Sequence, residues 1–387
     1  MAAERKMEEY NGFEQGPIRP PSEAYSLLIR VTRNCPWNRC TFCPVYKEAR
    51  FSIRPVAHVK QDIDAVYRCI ETFRDAEDSR GRIGRLEAKN RSGEIGSEDP
   101  RACQAALHWY GSGMKSIFIQ DANSLVIKPS DLVEILSHLK NRFPWTDRIT
   151  SYARSHTIAR ITDENLRAIS QAGLNRIHIG LESGSDAVLK MIRKGVDKET
   201  HIRAGIKVKK AGMELSEYIM PGLGGRELSE IHALETADAL NRIDPDFIRL
   251  RTLAVPDGIP LSARLHEGSF KKCTDRMMVQ EILLMIENLK GISGRVQSDH
   301  ILNLFQEVEG KLPQDKDRML APLREFLQMD PKRQCLYQVG RRLGIFSRLS
   351  DMESPHRLAK VEKACEQYGI GPDNVDEAVD ELMKRFI

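Results

Sequence analysis

One pattern recurs through the middle of this 387-residue sequence: a short β-rich apolar run, then a polar loop, then an amphipathic helix. The apolar runs lie at 26–32, 116–120, 148–152, 175–180, 214–219 and 246–252. Between them fit segments such as the one opened by Pro129, in which Leu132, Ile135, Leu136 and Leu139 share one helical face. Thr162 is predicted to cap another helix, which ends at Gly173. This alternation predicts a parallel sheet with helices packed outside it.

Six such units predict the α/β fold class, as a partial (β/α)6 barrel of the TIM-barrel type with a C-terminal helical extension. An open sheet covered on both faces is the structural alternative. We expect an N-terminal extension at 1–24, the barrel at 25–262 with a polar insertion at about 76–99, and the helical extension at 263–387. From about residue 262 onwards the strand patterns stop, and helical patterns follow at 277–289, 317–327 and 375–386.

Composition favours a soluble globular protein, with 41% hydrophobic and 29% charged residues. The net charge of +4 comes from interspersed acids and bases, which gives no strong signal for nucleic-acid binding. No apolar run approaches the roughly 20 residues that span a membrane. The N-terminal residues lack the apolar region of a secretory signal, so we expect a cytoplasmic, reducing location.

Three of the eight cysteines, Cys35, Cys40 and Cys43, fall within nine residues directly after the first apolar run. The other five are isolated, so the sequence does not predict a second cysteine cluster. In a reducing compartment we expect these five to be unpaired, small buried residues. They are Cys69, Cys103, Cys273, Cys335 and Cys365.

The three neighbouring thiolates can face a common centre. A closed zinc site needs four ligands, and His58 is the nearest further candidate, so a zinc loop that borrows a remote ligand remains an alternative. An iron–sulfur cubane normally takes four thiolates, so three cysteines would leave one iron open. The amino and carboxylate groups of S-adenosylmethionine (SAM) could occupy that iron and place the sulfonium beside the cluster for one-electron reduction.

The motif C-x4-C-x2-C, with Phe42 just before its last cysteine, resembles the radical SAM superfamily. The commonest spacing there is C-x3-C-x2-C, so this sequence has one extra residue between Cys35 and Cys40. The resemblance covers about 25–262 and is greatest to the branch of oxygen-independent coproporphyrinogen oxidases, tRNA methylthiotransferases and the Elongator catalytic subunit. It implies a partial (β/α)6 barrel, a [4Fe-4S] cluster and SAM as cofactors, and an electron donor such as flavodoxin or ferredoxin.

The resemblance also implies cofactor contacts at the strand ends, with Phe42 beside the cluster. Gln120 and Asp121 follow the second strand, where the family often has a Gly-Gly-Glu-like element that holds the methionine amino group. Tyr152 and Arg154 follow the third strand, and a guanidinium suits the methionine carboxylate because its planar fork binds carboxylates bidentately. The alternatives are a helix-capping turn at Asp121 and a solvated surface residue at Arg154.

Two further segments are similar to SAM-contacting elements of the family. Glu182 and Ser183 follow the fourth strand, where a carboxylate would accept hydrogen bonds from the ribose hydroxyls. Met220 and Gly222 belong to a Gly-rich segment after the fifth strand, which resembles the segment whose backbone pairs with the adenine edge. An ordinary Pro-Gly turn is the alternative for the second segment.

Three side chains are candidates for contact with the substrate. His178 shares a strand face with Gly180 and Glu182, so it would point into the substrate space if that face lines the barrel; a buried structural histidine is the alternative. Arg249 and Arg251 alternate with apolar residues on the sixth strand. Two arginines facing into a barrel require a partner, either an acidic substrate or an internal carboxylate. An acidic substrate is one of these two open alternatives, and we expect the substrate to be a small molecule.

The expected reaction is reductive cleavage of SAM, giving methionine and a 5′-deoxyadenosyl radical that abstracts hydrogen from an unidentified substrate. Methylthio transfer is not favoured because further cysteine clusters are absent. The 34 residues before Cys35 are too few for a corrin-binding domain, and the tail does not resemble an acetyltransferase. Porphyrinogen decarboxylation remains open. The alternative to an enzyme is a chaperone or sensor that binds a cluster, SAM or haem without catalysis.

Overall fold

The computed structural model describes residues 9–75 and 99–383. The predicted insertion at about 76–99 therefore lies, except for Asp99, outside the described residues. The chain divides into two compact units. The first comprises Met1–Pro36, Val45–His178 and Lys210–Glu214, and the second comprises Trp37–Pro44, Ile179–Lys209 and Leu215–Ile387.

The first unit contains parallel strands joined by helices. Its strands are β1 (Leu27–Arg30), β2 (Thr32–Arg33), β3 (Ser52–Ile53), β4 (Ser116–Gln120) and β5 (Arg148–Ala153), and its helices are α1 (Val56–Asp75), α2 (Pro100–Gly111), α3 (Pro129–Arg142), α4 (Ser155–Ile158) and α5 (Asp163–Gln171), with 3-10 turns at Pro21–Glu23 and Ser124–Val126. Strand β4 pairs in parallel with β1 and β5, so that Phe118 lies opposite Leu28 and Thr150. Strands β2 and β3 form an antiparallel pair.

Local sequence explains these elements. Helix α1 buries one stripe against the sheet, consisting of Val59, Ile63, Val66, Ile70 and Phe73. Asp99 caps helix α2 by accepting a hydrogen bond from the Ala102 amide at 3.1 Å. Thr162 caps helix α5 in the same way, as predicted. Strand β6 (Arg176–Glu182) contributes residues to both units.

The second unit continues the alternation and ends in helices. Its elements are α6 (Asp186–Met191), α7 (Lys198–Lys210), β7 (Glu214–Ile219), α8 (Gly225–Ile243), β8 (Phe247–Leu250), α9 (Pro260–His266), α10 (Asp275–Glu287), β9 (Arg295–Gln297), β10 (Gly310–Lys311), α11 (Lys316–Gln328), α12 (Pro331–Arg342), the 3-10 turn Leu349–Glu353, α13 (Pro355–Tyr368) and α14 (Val375–Met383). Strand β8 pairs in parallel with β7 and β9, and β10 pairs antiparallel with β9. Within the described ranges, no helix is both long and apolar enough to cross a bilayer.

The predicted fold class, an α/β partial (β/α)6 barrel with a C-terminal helical extension, is confirmed. The prediction that strands stop at about residue 262 is wrong, because β9 adds a further parallel strand to β8. Strand β9 has three residues, of which only Val296 is buried, so its apolar pattern is too short to detect. The domain boundaries at 24/25 and 262/263 stay predictions.

The expectation that all isolated cysteines are unpaired is also wrong. Cys69 on α1 and Cys103 on α2 form a disulfide, with their Cα atoms 5.4 Å apart. The two residues are 34 positions apart in sequence, but the helices that carry them pack side by side. Cys273, Cys335 and Cys365 are free and buried, as expected.

Candidate functional site

The cysteine loop lies between β2 and β3. Cys35, Cys40 and Cys43 are all half-buried. Asn34 and Asn38 have φ of 66° and 45°, a left-handed conformation that asparagine tolerates better than most residues, and they turn the backbone on either side of Cys35. In the described part of the chain, no three His, Cys, Asp or Glu side chains are grouped to hold one metal ion. A cubane differs from a single ion because each cysteine binds its own iron atom.

Asp121 holds the first half of this loop. Its buried carboxylate accepts hydrogen bonds from Arg30 Nε at 2.9 Å and Nη2 at 2.7 Å, and from the Asn34 amide at 3.1 Å. The Tyr46 hydroxyl also donates to Asp121. Burial, reinforced by this hydrogen bond, raises the pKa of Tyr46, so the phenol remains a donor. The residue just before Cys35 is therefore fixed by a buried ion pair.

Gln120 holds the N-terminal segment beside the same strand end. Its Oε1 accepts from the Gly16 amide at 2.8 Å, and its Nε2 donates to the Ile18 carbonyl at 2.5 Å. A Cβ at Gly16 would lie 2.7 Å from the Asp121 carboxylate, so only glycine fits there. The described contacts of Gln120 and Asp121 are thus internal, and their predicted contact with the methionine amino group stays a prediction.

The second half of the cysteine loop is fixed by the segment after α6. The Trp37 indole donates to the Arg193 carbonyl at 2.8 Å, and the Thr41 amide donates to the Ile192 carbonyl at 2.9 Å. A Cβ at Gly195 would lie 2.2 Å from the Trp37 ring, so this indole requires glycine beside it. These contacts, which sequence reasoning missed, position Cys40 and Cys43 along the backbone.

Phe42 and Met220, both predicted near the cofactor, pack against the same apolar cluster in the second unit. The cluster consists of Val188, Ile192, Leu223, Leu253, Ile259, Leu261 and Phe270. Both side chains remain partly buried at its edge. Phe42 of the cysteine motif and Met220 of the predicted adenine-binding segment therefore contact the same apolar cluster.

His178 is a fully buried residue of the first unit. Its Nε2 donates to Glu23 Oε1 at 3.4 Å, and Arg148 forms an ion pair with the same carboxylate at 3.0 Å. Burial opposes ionisation of Glu23, but the His178 hydrogen bond and the Arg148 charge outweigh it and hold the Glu23 pKa below its usual value. Sequence reasoning missed Glu23, and the catalytic role of His178 stays a prediction.

Tyr152 and Arg154 lie at the end of β5 and are both half-buried. The Tyr152 ring centroid lies 5.5 Å from His178 and 5.2 Å from Phe118, so the three rings form one aromatic group. The Arg154 amide donates to Asn123 Oδ1 at 2.9 Å, which ties the end of β5 to the segment that follows β4. The structure thus brings the ends of the second and third predicted strands together.

Glu182 ends β6 with φ of 63°, a left-handed conformation that is uncommon for glutamate. Its Oε1 lies 3.0 Å from Lys194 Nζ, in a half-buried ion pair that the sequence did not predict. A Cβ at Gly180 would lie 2.1 Å from this carboxylate oxygen, so glycine leaves the space that it fills. The Glu182 carbonyl accepts the Met220 amide at 3.1 Å, which joins two of the predicted SAM-contacting segments.

Ser183 is fully buried and bonded to His232 of α8. His232 Nε2 lies 3.1 Å from the Met220 carbonyl, which can only accept, so Nε2 carries the proton. In the neutral ring Nδ1 then accepts from the Ser183 hydroxyl at 2.8 Å. One histidine therefore connects the segment after β6 to the segment after β7. The predicted contact of Ser183 with the cofactor stays a prediction.

Glu281 of α10 supports the Gly222 segment from the other side. Its Oε1 accepts the Gly222 amide at 2.7 Å, and its Oε2 accepts the Ser229 hydroxyl. Burial raises the pKa of Glu281, and the nearby His232 partly opposes this shift. The sequence signal for this residue is an acid among the apolar positions of a helix, and Asp275 and Glu281 are the two acids on its buried face.

Arg249 on β8 has an internal partner. Its Nε donates to the Ser216 hydroxyl at 3.0 Å, and its Nη1 donates to Asp299 at 2.8 Å. Of the two partners that the sequence left open, an acidic substrate or an internal carboxylate, the structure provides the internal carboxylate for Arg249. Asp299 follows β9, the strand that sequence reasoning missed.

Arg251 lies at the end of the same strand, half-buried. Its guanidinium carbon is 4.4 Å from the centroid of the Tyr218 ring, a cation–π contact. Burial and the Arg251 charge lower the pKa of His300 to about 4, so this imidazole is neutral at pH 7. Among the described residues, His300 Nδ1 and Gln297 Oε1 are buried atoms with no hydrogen-bond partner.

Glu217 on β7 is fully buried, and within the described chain neither of its carboxylate oxygens has a hydrogen-bond partner. Burial raises its pKa well above the usual value, which the Lys194 charge partly opposes and Glu182 reinforces. Sequence reasoning did not single out this residue.

Comparison with known proteins places these segments in a family context. The chain is 19% identical over 275 residues to a tRNA uridine(34) acetyltransferase of Methanocaldococcus infernus, covering 69% of this chain and 50% of that protein. It is 25% identical over 273 residues to a protein of Methanocaldococcus jannaschii named as a methylthiotransferase, covering 67% and 51% respectively. The chain thus spans about half the length of the curated relatives it matches.

Among solved structures, coproporphyrinogen III oxidase from Escherichia coli is 14% identical with a TM-score of 0.42, covering 68% of this chain and 50% of that one. The family model described as the radical SAM superfamily matches residues 29–237, more than half of the sequence. The matched residues include the cysteine loop and the segments after β4, β5, β6 and β7. The chain therefore belongs to the radical SAM superfamily, a family of enzymes that use a [4Fe-4S] cluster and SAM.

Proposed function

We propose that this protein is a radical SAM enzyme whose cluster is held by Cys35, Cys40 and Cys43. The observation that carries the proposal is the presence of three half-buried cysteines on one short loop, since three cysteine ligands leave one iron of a cubane open. When bound, the cluster supplies the electron that splits SAM into methionine and a 5′-deoxyadenosyl radical, which abstracts hydrogen from the substrate. A flavodoxin or ferredoxin is the proposed electron donor.

The chain's own residues would bind and orient SAM. Glu182, held in place by Lys194, would accept hydrogen bonds from the ribose hydroxyls. The Met220–Gly222 backbone would pair with the adenine edge, and Phe42 would cover the iron–sulfur cluster from the apolar cluster that it shares with Met220. The segments after β6 and β7 are linked by His232 and by the hydrogen bond from the Met220 amide to the Glu182 carbonyl. This link supports the assignment of both segments to one SAM-binding site.

The remaining predicted contacts would bind the methionine end of SAM. Arg154 would bind the methionine carboxylate, with Tyr152 beside it. Gln120 and Asp121 would act mainly by fixing the backbone on the N-terminal side of Cys35. That backbone would offer its carbonyl groups to the methionine amino group. Ser183 would act through His232 rather than by contact with the ribose.

Formation of 5′-deoxyadenosine tests the proposed function. The protein is reconstituted anaerobically with iron and sulfide, reduced with dithionite, incubated with SAM, and analysed by liquid chromatography and mass spectrometry. We expect 5′-deoxyadenosine and methionine in equal amounts, only when cluster, reductant and SAM are all present. A fully loaded protein that binds SAM without cleaving it would contradict the proposal and favour a chaperone or sensor.

We also propose that the substrate is a small acid bound by Arg251. The Arg251 guanidinium lies against the Tyr218 ring and beside the His300 imidazole, which is neutral at pH 7. The unpartnered Gln297 and His300 atoms would complete the contact as hydrogen-bonding groups. A guanidinium with neighbouring amide and imidazole groups suits a carboxylate or phosphate that has an adjacent polar group.

Arg251→Ala is expected to lower substrate-stimulated release of 5′-deoxyadenosine about 100-fold, the scale on which a buried charge loses its partner. Stimulation is measured with fractions of a small-molecule cell extract separated by anion exchange, and with total tRNA. The retained fraction should stimulate the wild type but not the variant, while the exposed Arg167→Ala control behaves as wild type. Stimulation only by the unretained fraction or by tRNA would contradict the acidic small molecule.

A further inference from the structure

Helix α10 belongs to the C-terminal extension, yet one of its side chains forms a hydrogen bond with the segment proposed to bind adenine. Glu281 accepts the Gly222 amide at 2.7 Å, and the Glu281 side chain is buried. The amide of Gly222 is therefore satisfied by a side chain that lies 59 positions away in sequence. A buried amide without an acceptor is costly, so this contact stabilises one backbone conformation of the segment.

The conformation that Glu281 holds is an unusual one. Gly222 has φ of 84°, a region that favours glycine, and a Cβ there would lie 3.0 Å from the sulfur of Met278, also on α10. Helix α10 thus contacts Gly222 through both a hydrogen bond and close packing. The carbonyl of Met220, two residues earlier, is held by His232 Nε2, which itself lies 3.5 Å from Glu281 Oε1.

We propose that Glu281 is a positioning residue that sets the adenine-reading conformation of the Met220–Gly222 segment, and thereby the affinity for the adenosyl half of SAM. This inference rests on the proposed function, since it assumes that the segment contacts adenine. Glu281 does not touch the cofactor in this proposal. It acts through the Gly222 amide directly, and through His232 on the Met220 carbonyl.

The test compares two probes, SAM and L-methionine, on the reconstituted, reduced holoprotein. Methionine can occupy the open iron but has no adenosyl group. Affinities are obtained by titrating the change in the electron paramagnetic resonance spectrum of the cluster. The variants are Glu281→Ala, Glu281→Gln and the matched control Glu287→Ala, which lies on the same helix but pairs with Arg324 at its exposed end.

Glu281→Ala is expected to weaken SAM binding about 10-fold, the scale of one buried hydrogen bond, while methionine binding and iron content stay within about 2-fold of wild type. Glu281→Gln keeps an oxygen acceptor for the Gly222 amide and should restore most of the SAM affinity. Glu287→Ala should match wild type for both probes.

Two results would overturn the role of Glu281: unchanged SAM affinity in Glu281→Ala, or an equal loss of SAM and methionine affinity, which would indicate a general structural defect. Failure of the proposed function itself would be recognised separately, because the wild-type protein would then either bind neither probe at its cluster or bind SAM without forming 5′-deoxyadenosine.

Discussion

Replacing Cys35, Cys40 or Cys43 by alanine, one residue at a time, is expected to abolish iron–sulfur cluster binding. Two thiolates cannot hold a cubane that normally takes four ligands and here would have three. Each variant should retain less than about one tenth of the wild-type iron after anaerobic reconstitution, and should form no detectable 5′-deoxyadenosine. Iron and sulfide analysis, with the visible charge-transfer absorption, measures the first effect.

The matched control is Cys365→Ser, which changes a free cysteine of the C-terminal extension. This variant should keep its full iron content and activity. If any of the three loop variants bound as much iron as the control, the proposed ligand set would be wrong. If the wild-type protein bound one zinc ion instead and each loop variant lost it, the zinc-loop alternative would replace the cluster.

Asp121→Ala is expected to lower the free energy of unfolding by about 3 kcal/mol, because it leaves a charge without its partner. Only 11% of the Arg30 side chain is exposed. In the variant, Arg30 would keep its ion pair with Glu14 but would lose Asp121, to which it donates two hydrogen bonds. The same change removes the acceptor of the Asn34 amide, so cluster retention should fall together with stability. Urea unfolding followed by circular dichroism measures the free energy.

The outcome distinguishes two roles for Asp121. If Asp121 anchors the cysteine loop, its removal destabilises the protein. If Asp121 only binds the methionine amino group, its removal lowers the affinity for SAM and leaves the free energy of unfolding unchanged. The exposed Asp147→Ala serves as the control and should change the free energy of unfolding by less than about 0.5 kcal/mol. An equally small change in Asp121→Ala would contradict the anchoring role.

Much of the fold could be predicted because its signals are local. The runs at 116–120 and 214–219 coincide with β4 and β7, since a short apolar strand between polar loops is visible in the sequence itself. Thr162 was recognised as a helix cap because its side chain bonds an amide three residues later. Features set by contacts within a few residues are thus readable without a structure.

Features that depend on distant pairing were missed or misjudged. Strand β9 has one buried residue and exists because it pairs with β8. The disulfide between Cys69 and Cys103 requires knowing that α1 and α2 are neighbours, which spacing in the sequence does not reveal. Both errors concern tertiary contacts, for which a single sequence carries no direct signal.

The candidate site divides in the same way. Cys35, Glu182 and Gly222 could be singled out because they fall in short motifs at strand ends. The residues that hold them in place could not, because Lys194, His232 and Glu281 are ordinary residues of helices and loops whose partners are remote in sequence. Asp299 is a further case, since it pairs with Arg249 and lies just after β9, a strand that was not predicted.

We propose that the three-cysteine loop holds a cluster with one iron open to SAM. The electron paramagnetic resonance spectrum of the reconstituted, dithionite-reduced protein, recorded with and without SAM, tests this directly. We expect a reduced [4Fe-4S] signal whose g-values shift when SAM is added, because SAM becomes a ligand of the open iron. A cluster signal that SAM leaves unchanged at saturating concentration would contradict it.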